Sequence, residues 1–82
     1  MRIFDDDNDA AINEVLLLLK ESEAKELMFA LQDLLSHSGQ DTHVHINDSD
    51  YRRKITVALY DDENIEKNTF NKRVMELIWE DK

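Results

Sequence analysis

The stretch EVLLLLKESEAKELMFALQDLL, residues 14–35, cannot be one helix with a single buried side. In its second half, apolar residues fall at Ala24, Leu27, Met28, Leu31, Leu34 and Leu35, the i, i+3, i+4, i+7 spacing of one helical stripe. Extended backward at about 100° per residue, that stripe lies roughly 110° away from the face that Ile12, Val15, Leu16 and Leu19 would form. A continuous helix would have to bury two different sides. The phase breaks at Lys20–Ser22, where Ser22 can cap a new helix, Glu23 and Glu26 suit the positive end of its dipole, and Gly39 offers a left-handed stop. A helix is therefore expected over about 22–37. The preceding run, Asn13 to Lys20, is expected to be a strand with leucines on both faces, with a short helix from Asp9 as the alternative.

Further along, THVHIN alternates so that Val44 and Ile46 share one face and His43, His45 and Asn47 the other. RRKITVALY likewise separates Ile55, Val57 and Leu59 from Lys54, Thr56, Ala58 and Tyr60. The turn-forming Asp48, Ser49 and Asp50 between them predict a hairpin. From about Thr69, the spacing of Phe70, Val74, Leu77 and Ile78 predicts a second amphipathic helix. The order is β-α-β-β-α, with Met1 to Phe4 available as an edge strand pairing back on 13–20. The expected fold is α+β: a two-layer sandwich with a small antiparallel or mixed sheet and both helices on one face. It is read as one domain, 1–82, whose acidic first ten residues are either flexible or an edge strand.

Composition narrows what such a fold can do. A chain of 82 residues buries only about 60 to 65% of its unfolded surface, so a deep water-excluding site is hard to build. The absence of cysteine removes thiolate metal sites and disulfides. The N-terminus MRIFDDDNDAA is the reverse of a secretory leader, and the longest apolar run is VLLLL, which together point to a cytoplasmic protein. Residues 1–50 carry twelve acids and three bases, net −9, while residues 51–82 carry seven of each. Nucleic acid and anionic membrane need a basic surface, and the only local one, Arg52-Arg53-Lys54, is flanked by acids. The expected partner is a basic protein surface or a second copy of the chain.

Chemistry-bearing motifs are sparse. His43 and His45, two apart on a strand, share a face and could grip a divalent metal with Asp41, Asp48 or Asp50, but a half-exposed pair on a sheet face is the plainer reading. Asp5, Asp7 and Asp9 have the opening spacing of a calcium loop, yet Ala10 stands where its glycine belongs and Leu16 where its closing glutamate belongs. No cofactor is implied. Ser22, Ser36, Ser38 and Ser49 sit at caps and turns, and there is no glycine-rich phosphate loop, so an enzyme is not expected. More informative is a surplus of apolar residues. Leu16 and Leu18 lie on the strand face that the helices cannot cover, Tyr60 lies on the open sheet face, and Trp79 is nearly opposite the stripe of its helix. With Asp5, Asp6, Asp7, Asp61 and Asp62 as steering charges, these are the candidate partner-binding residues.

The leucine-rich run, EAKELMFALQDLL and HVHINDSDYRRKITVALYD together resemble a family of short uncharacterised bacterial proteins, over residues 14 to about 61. His43, His45, Asp50 and Tyr51 are the most distinctive positions. The resemblance implies bacterial or phage origin and a strand over 14–20, and no activity. The function expected is that of a small acidic inhibitor or immunity-type protein, with a structural or regulatory homodimer as the first alternative and a metal-binding protein as the second.

Overall fold

The computed structural model describes residues 1–36, 43–60 and 70–82. It has six elements: β1 (Ile3–Asp5), β2 (Ala10–Ile12), α1 (Glu21–Ser36), β3 (His43–Asn47), β4 (Lys54–Ala58) and α2 (Lys72–Glu80). The α+β class is as expected. The strands form two separate antiparallel pairs, β1 with β2 and β3 with β4. The chain divides into two compact units, one comprising Met1–Leu17 with Thr69–Lys82 and the other Leu18–Asn68. Each holds one hairpin and one helix.

In the second unit, β3 and β4 pair in the register Val44↔Val57, His45↔Thr56, Ile46↔Ile55. Burial alternates along both strands, as the period-two sequence requires, and Ile46 is buried. Asp48 closes the turn. Its amide donates to the Arg53 carbonyl (3.1 Å), and its carboxylate accepts from the amides of Arg52 (2.8 Å) and Arg53 (3.2 Å). That geometry puts Tyr51 in the left-handed region, φ 56°. Helix α1 packs along β3, and its Leu34 is 2% exposed. The helix starts one residue before the expected serine cap. Its first turn is closed by the Glu23 carboxylate, which accepts from the Lys20 amide at 2.8 Å, while Ala24 donates to the Lys20 carbonyl. The buried side is narrower than the sequence stripe: Leu27 and Ala30 are half-buried, whereas Met28, Leu31 and Leu35 are exposed. The expected stop at Gly39 lies outside the described residues.

In the first unit, the acidic segment between β1 and β2 folds as a turn. The Asp5 carboxylate accepts from the Asn8 amide (3.3 Å) and side chain (2.6 Å), and Asp9 takes the left-handed conformation, φ 51°. The pairing Ile3↔Ile12, Phe4↔Ala11, Asp5↔Ala10 follows. Helix α2 begins at Asn71, whose side chain accepts from the Val74 amide (2.9 Å), and ends at left-handed Asp81, whose amide donates to the Leu77 carbonyl. Leu77 and Ile78 are buried, Val74 and Met75 half-buried.

The strand expected over Asn13–Lys20 is not formed. The hairpin turn pairs Ile3–Asp5 with Ala10–Ile12 instead, so the edge strand exists but its partner is the AAI segment. Residues 14–20 have neither helix nor strand, because leucine alone does not hold an extended chain without a ladder to join.

Candidate interaction surfaces

The first unit carries Asp5, Asp6, Asp7, Leu16 and Trp79 of the expected site residues, and the second carries Leu18, Tyr60, His43 and His45. Asp61 and Asp62 lie outside the described residues. Asp6 and Asp7 are exposed on the turn, while Asp5 is half-buried and held by Asn8. That hydrogen bond, ahead of the others it accepts, pulls the Asp5 carboxyl below its ordinary value. Asp9, which in the sequence belongs only to the incomplete calcium-loop spacing, is matched by the Arg73 guanidinium at 2.7 Å. Arg73 also lies over the Phe4 ring at 4.7 Å and donates to the Lys82 carbonyl (2.6 Å) and to Glu76 (3.2 Å). The acidic turn is thereby tied to α2, and Asp6 and Asp7 are left facing solvent.

Trp79 is 59% exposed. It follows buried Ile78 by one residue and Leu77 by two, and steps of about 100° turn it off the covered side of α2. Tyr60 is half-buried beyond β4 and offers less surface than its sequence position implies.

Among the described residues, the run Val15–Leu19 is the largest concentration of uncovered apolar side chains. Exposure is 56% at Val15, 80% at Leu16, 46% at Leu17, 85% at Leu18 and 37% at Leu19. Exposure is highest at the even-numbered residues, Leu16 and Leu18. Beside its start, an open groove of about 550 Å³ is lined by Met1, Ile3, Asn13, Glu14, Val15 and Leu16.

His43 and His45 do share a face, with ring centroids 5.2 Å apart in an edge-on arrangement. His45 Nδ1 lies 2.8 Å from the Thr56 hydroxyl across the sheet. Asp41, one of the third ligands the sequence suggests, lies outside the described residues. Among the described residues no group of three or more His, Cys, Asp or Glu is placed to hold a metal ion.

One recess escapes the sequence. About 350 Å³ opens between the first turn of α1 and the β3–β4 turn, lined by Glu23, Glu26, His45, Asp48 and Tyr51 among others. No local signal announces it, because its two walls come from segments some twenty residues apart. Two of its acids already serve the backbone: Glu23 at the Lys20 amide and Asp48 at the Arg52 and Arg53 amides. The Arg53 amide, first among these donors, holds the Asp48 carboxyl below its ordinary value.

Among the described residues no helix is long and apolar enough to cross a membrane. Comparison with family models, with curated proteins and with solved structures finds no match to this chain.

Proposed function

We propose that the chain is a small, non-enzymatic protein-binding module of bacterial or phage origin that occupies a basic surface on another protein, in the manner of an inhibitor or immunity protein. The observation that carries this reading is an apolar surplus on an acidic surface. Among the described residues, exposed large apolar side chains outnumber the buried core of Leu34, Ile46, Leu77 and Ile78. Patches of this kind on a soluble chain mark protein contacts, with tryptophan a favoured anchor. The net charge of −9 selects a partner of opposite sign and speeds the encounter. In this mechanism Asp6 and Asp7 steer, and Trp79 supplies a desolvated contact.

The test is capture from a lysate of the native host at low and high salt, with the wild type beside Trp79→Ala and an Asp6→Lys/Asp7→Lys double variant. A basic protein retained by the wild type, weakened by salt and by the charge reversal, and lost with Trp79→Ala is expected. Absence of any retained protein at either salt removes the reading.

A further inference from the structure

Residues 14–20, EVLLLLK, read as a buried strand in the sequence and stand uncovered in the folded chain. Among the described residues, no backbone group from Glu14 to Leu19 pairs with another backbone group. Leu16 and Leu18 are its most exposed side chains. What it lacks is a neighbouring strand.

We infer that the missing neighbour is a second copy of the same segment, paired antiparallel with Leu17 on the two-fold axis. The charges choose this occupant. In that register residue 14 faces residue 20 of the other copy, so Glu14 stands opposite Lys20 at both ends of the ladder. Val15 faces Leu19, Leu16 faces Leu18, and Leu17 faces itself. The even-numbered face becomes a row of four leucines closed at each end by an opposite-charge pair, with Cβ atoms about 5 Å apart across the strands. Such an interface is isologous, as a two-fold dimer requires. Neither Glu14 nor the Lys20 ammonium is in an ion pair among the described residues, so both are available for it. A foreign strand would have to present the reverse charge order, lysine opposite Glu14 and acid opposite Lys20, around its own apolar core. The segment supplies that complement to itself.

The net charge of −9 on each copy opposes association. At physiological salt, however, charges more than about 8 Å apart are largely screened, which leaves the two local pairs. A seven-residue strand pair falls short of the roughly 800 Å² per partner typical of tight complexes, so the dimer is expected to dissociate in the micromolar range. The dimer does not depend on any basic partner, and its failure would leave the reading above untouched.

The experiment is sedimentation equilibrium of the full chain from about 10 μM to 1 mM, a range set by that expected affinity. It compares the wild type, Glu14→Lys, Lys20→Glu and the double exchange, with circular dichroism confirming that each is folded. The wild type should shift from a 9.7 kDa monomer toward a dimer with rising concentration. Each single reversal places like charges opposite one another twice, and should raise the dissociation constant about tenfold. An equimolar mixture of the two single variants restores both attractive pairs and should dimerise like the wild type, as should the double exchange. A wild type that stays monomeric at the highest concentration overturns the inference, and so does a dimer indifferent to the reversals or a mixture that fails to recover. If the segment's amides become protected only when a different protein is added, the occupant is foreign and the inference is likewise overturned.

Discussion

Where α1 lies along β3, the side chains that close the contact are short and apolar: Leu34 and Ile46 are the buried residues of that unit. Where α2 is fastened to β1 and β2, the fasteners the structure resolves are arginines. Arg2 sends Nε to the Leu77 carbonyl (3.1 Å) and the Ile78 carbonyl (3.2 Å), and Nη2 to the Ile78 carbonyl (3.1 Å), with Asp81 at 3.7 Å. Its charge sits at the negative end of the helix dipole, where it serves the Ile78 carbonyl and shares the Leu77 carbonyl with the Asp81 amide. Arg73 does the corresponding work at the other end, holding Asp9 and covering Phe4. The difference teaches how a smaller and a larger unit each fasten one helix to one hairpin. Helix α1 buries Leu34 alone over sixteen residues, while α2 buries Leu77 and Ile78 in nine and adds long side chains that cross to the hairpin.

The largest break in this comparison should come from Leu34→Ala. Truncating a side chain that is 2% exposed removes its transfer energy and leaves a cavity, a loss of about 3 kcal/mol. In so small a chain that is a large part of the total stability. Hydrogen exchange should report it in the amides of α1, β3 and β4. If those amides keep their protection while stability is unchanged, apolar packing is not what holds the second unit.

The second unit was also the more legible in sequence, for a related reason. Period-two alternation over His43–Asn47 and Lys54–Ala58 and the i, i+3, i+4 stripe of α1 are local patterns, and apolar packing is what such patterns encode. The first unit depends on Arg2 reaching residues 75 and 76 positions away, and on Arg73 reaching one 64 positions away. Nothing local marks those contacts. The VLLLL segment departs from expectation for the converse reason: its pattern is that of a strand, but a strand also needs a neighbour, and no local pattern encodes one. Among the site residues, exposure of Trp79 followed directly from its angle to the Leu77 and Ile78 side, while the recess at Glu23 and Asp48 needed the tertiary structure to exist at all.

Arg2→Lys sharpens the polar half of the comparison. Lysine keeps the positive charge near the end of α2 but cannot reproduce the planar fork that serves two carbonyls, so a loss of about 1 kcal/mol isolates geometry from charge. Arg2→Ala removes both and should cost about 2 kcal/mol, less than a fully buried group would because the side chain is 30% exposed. Urea titration of the three proteins ranks them. Equal stability of the lysine variant and the wild type would reduce the role of Arg2 to its charge.

A smaller effect belongs to the other end of the same helix. Asn71→Ala removes the acceptor of the Val74 amide and should cost about 1 kcal/mol, and Asn71→Asp should recover it by adding a favourable charge at the positive end of the dipole. Amide exchange at Val74 is the sensitive readout. Unchanged exchange in the alanine variant would show that the cap is made elsewhere.

The smallest effect concerns the two turns, which share a device despite the contrast between their units. Asp5 accepts from Asn8, and Asp48 accepts from Arg53 and Arg52; in each case hydrogen bonding to the ionised form lowers the carboxyl below 3.8. A depressed folded-state value means the carboxylate is favoured by folding. Its contribution is therefore fully present above the unfolded value and lost as pH falls through the lower, folded one. Both turns should hold unchanged from neutral pH down to about the ordinary carboxylate range and loosen only below it. Carboxyl-carbon chemical shifts followed by NMR should give midpoints below 3.8 for Asp5 and Asp48. In Asn8→Ala the Asp5 midpoint should move back up while that of Asp48 stays put, because the main side-chain donor has been removed from one turn only. Two midpoints that move together would mean the turns do not titrate on their own local hydrogen bonds.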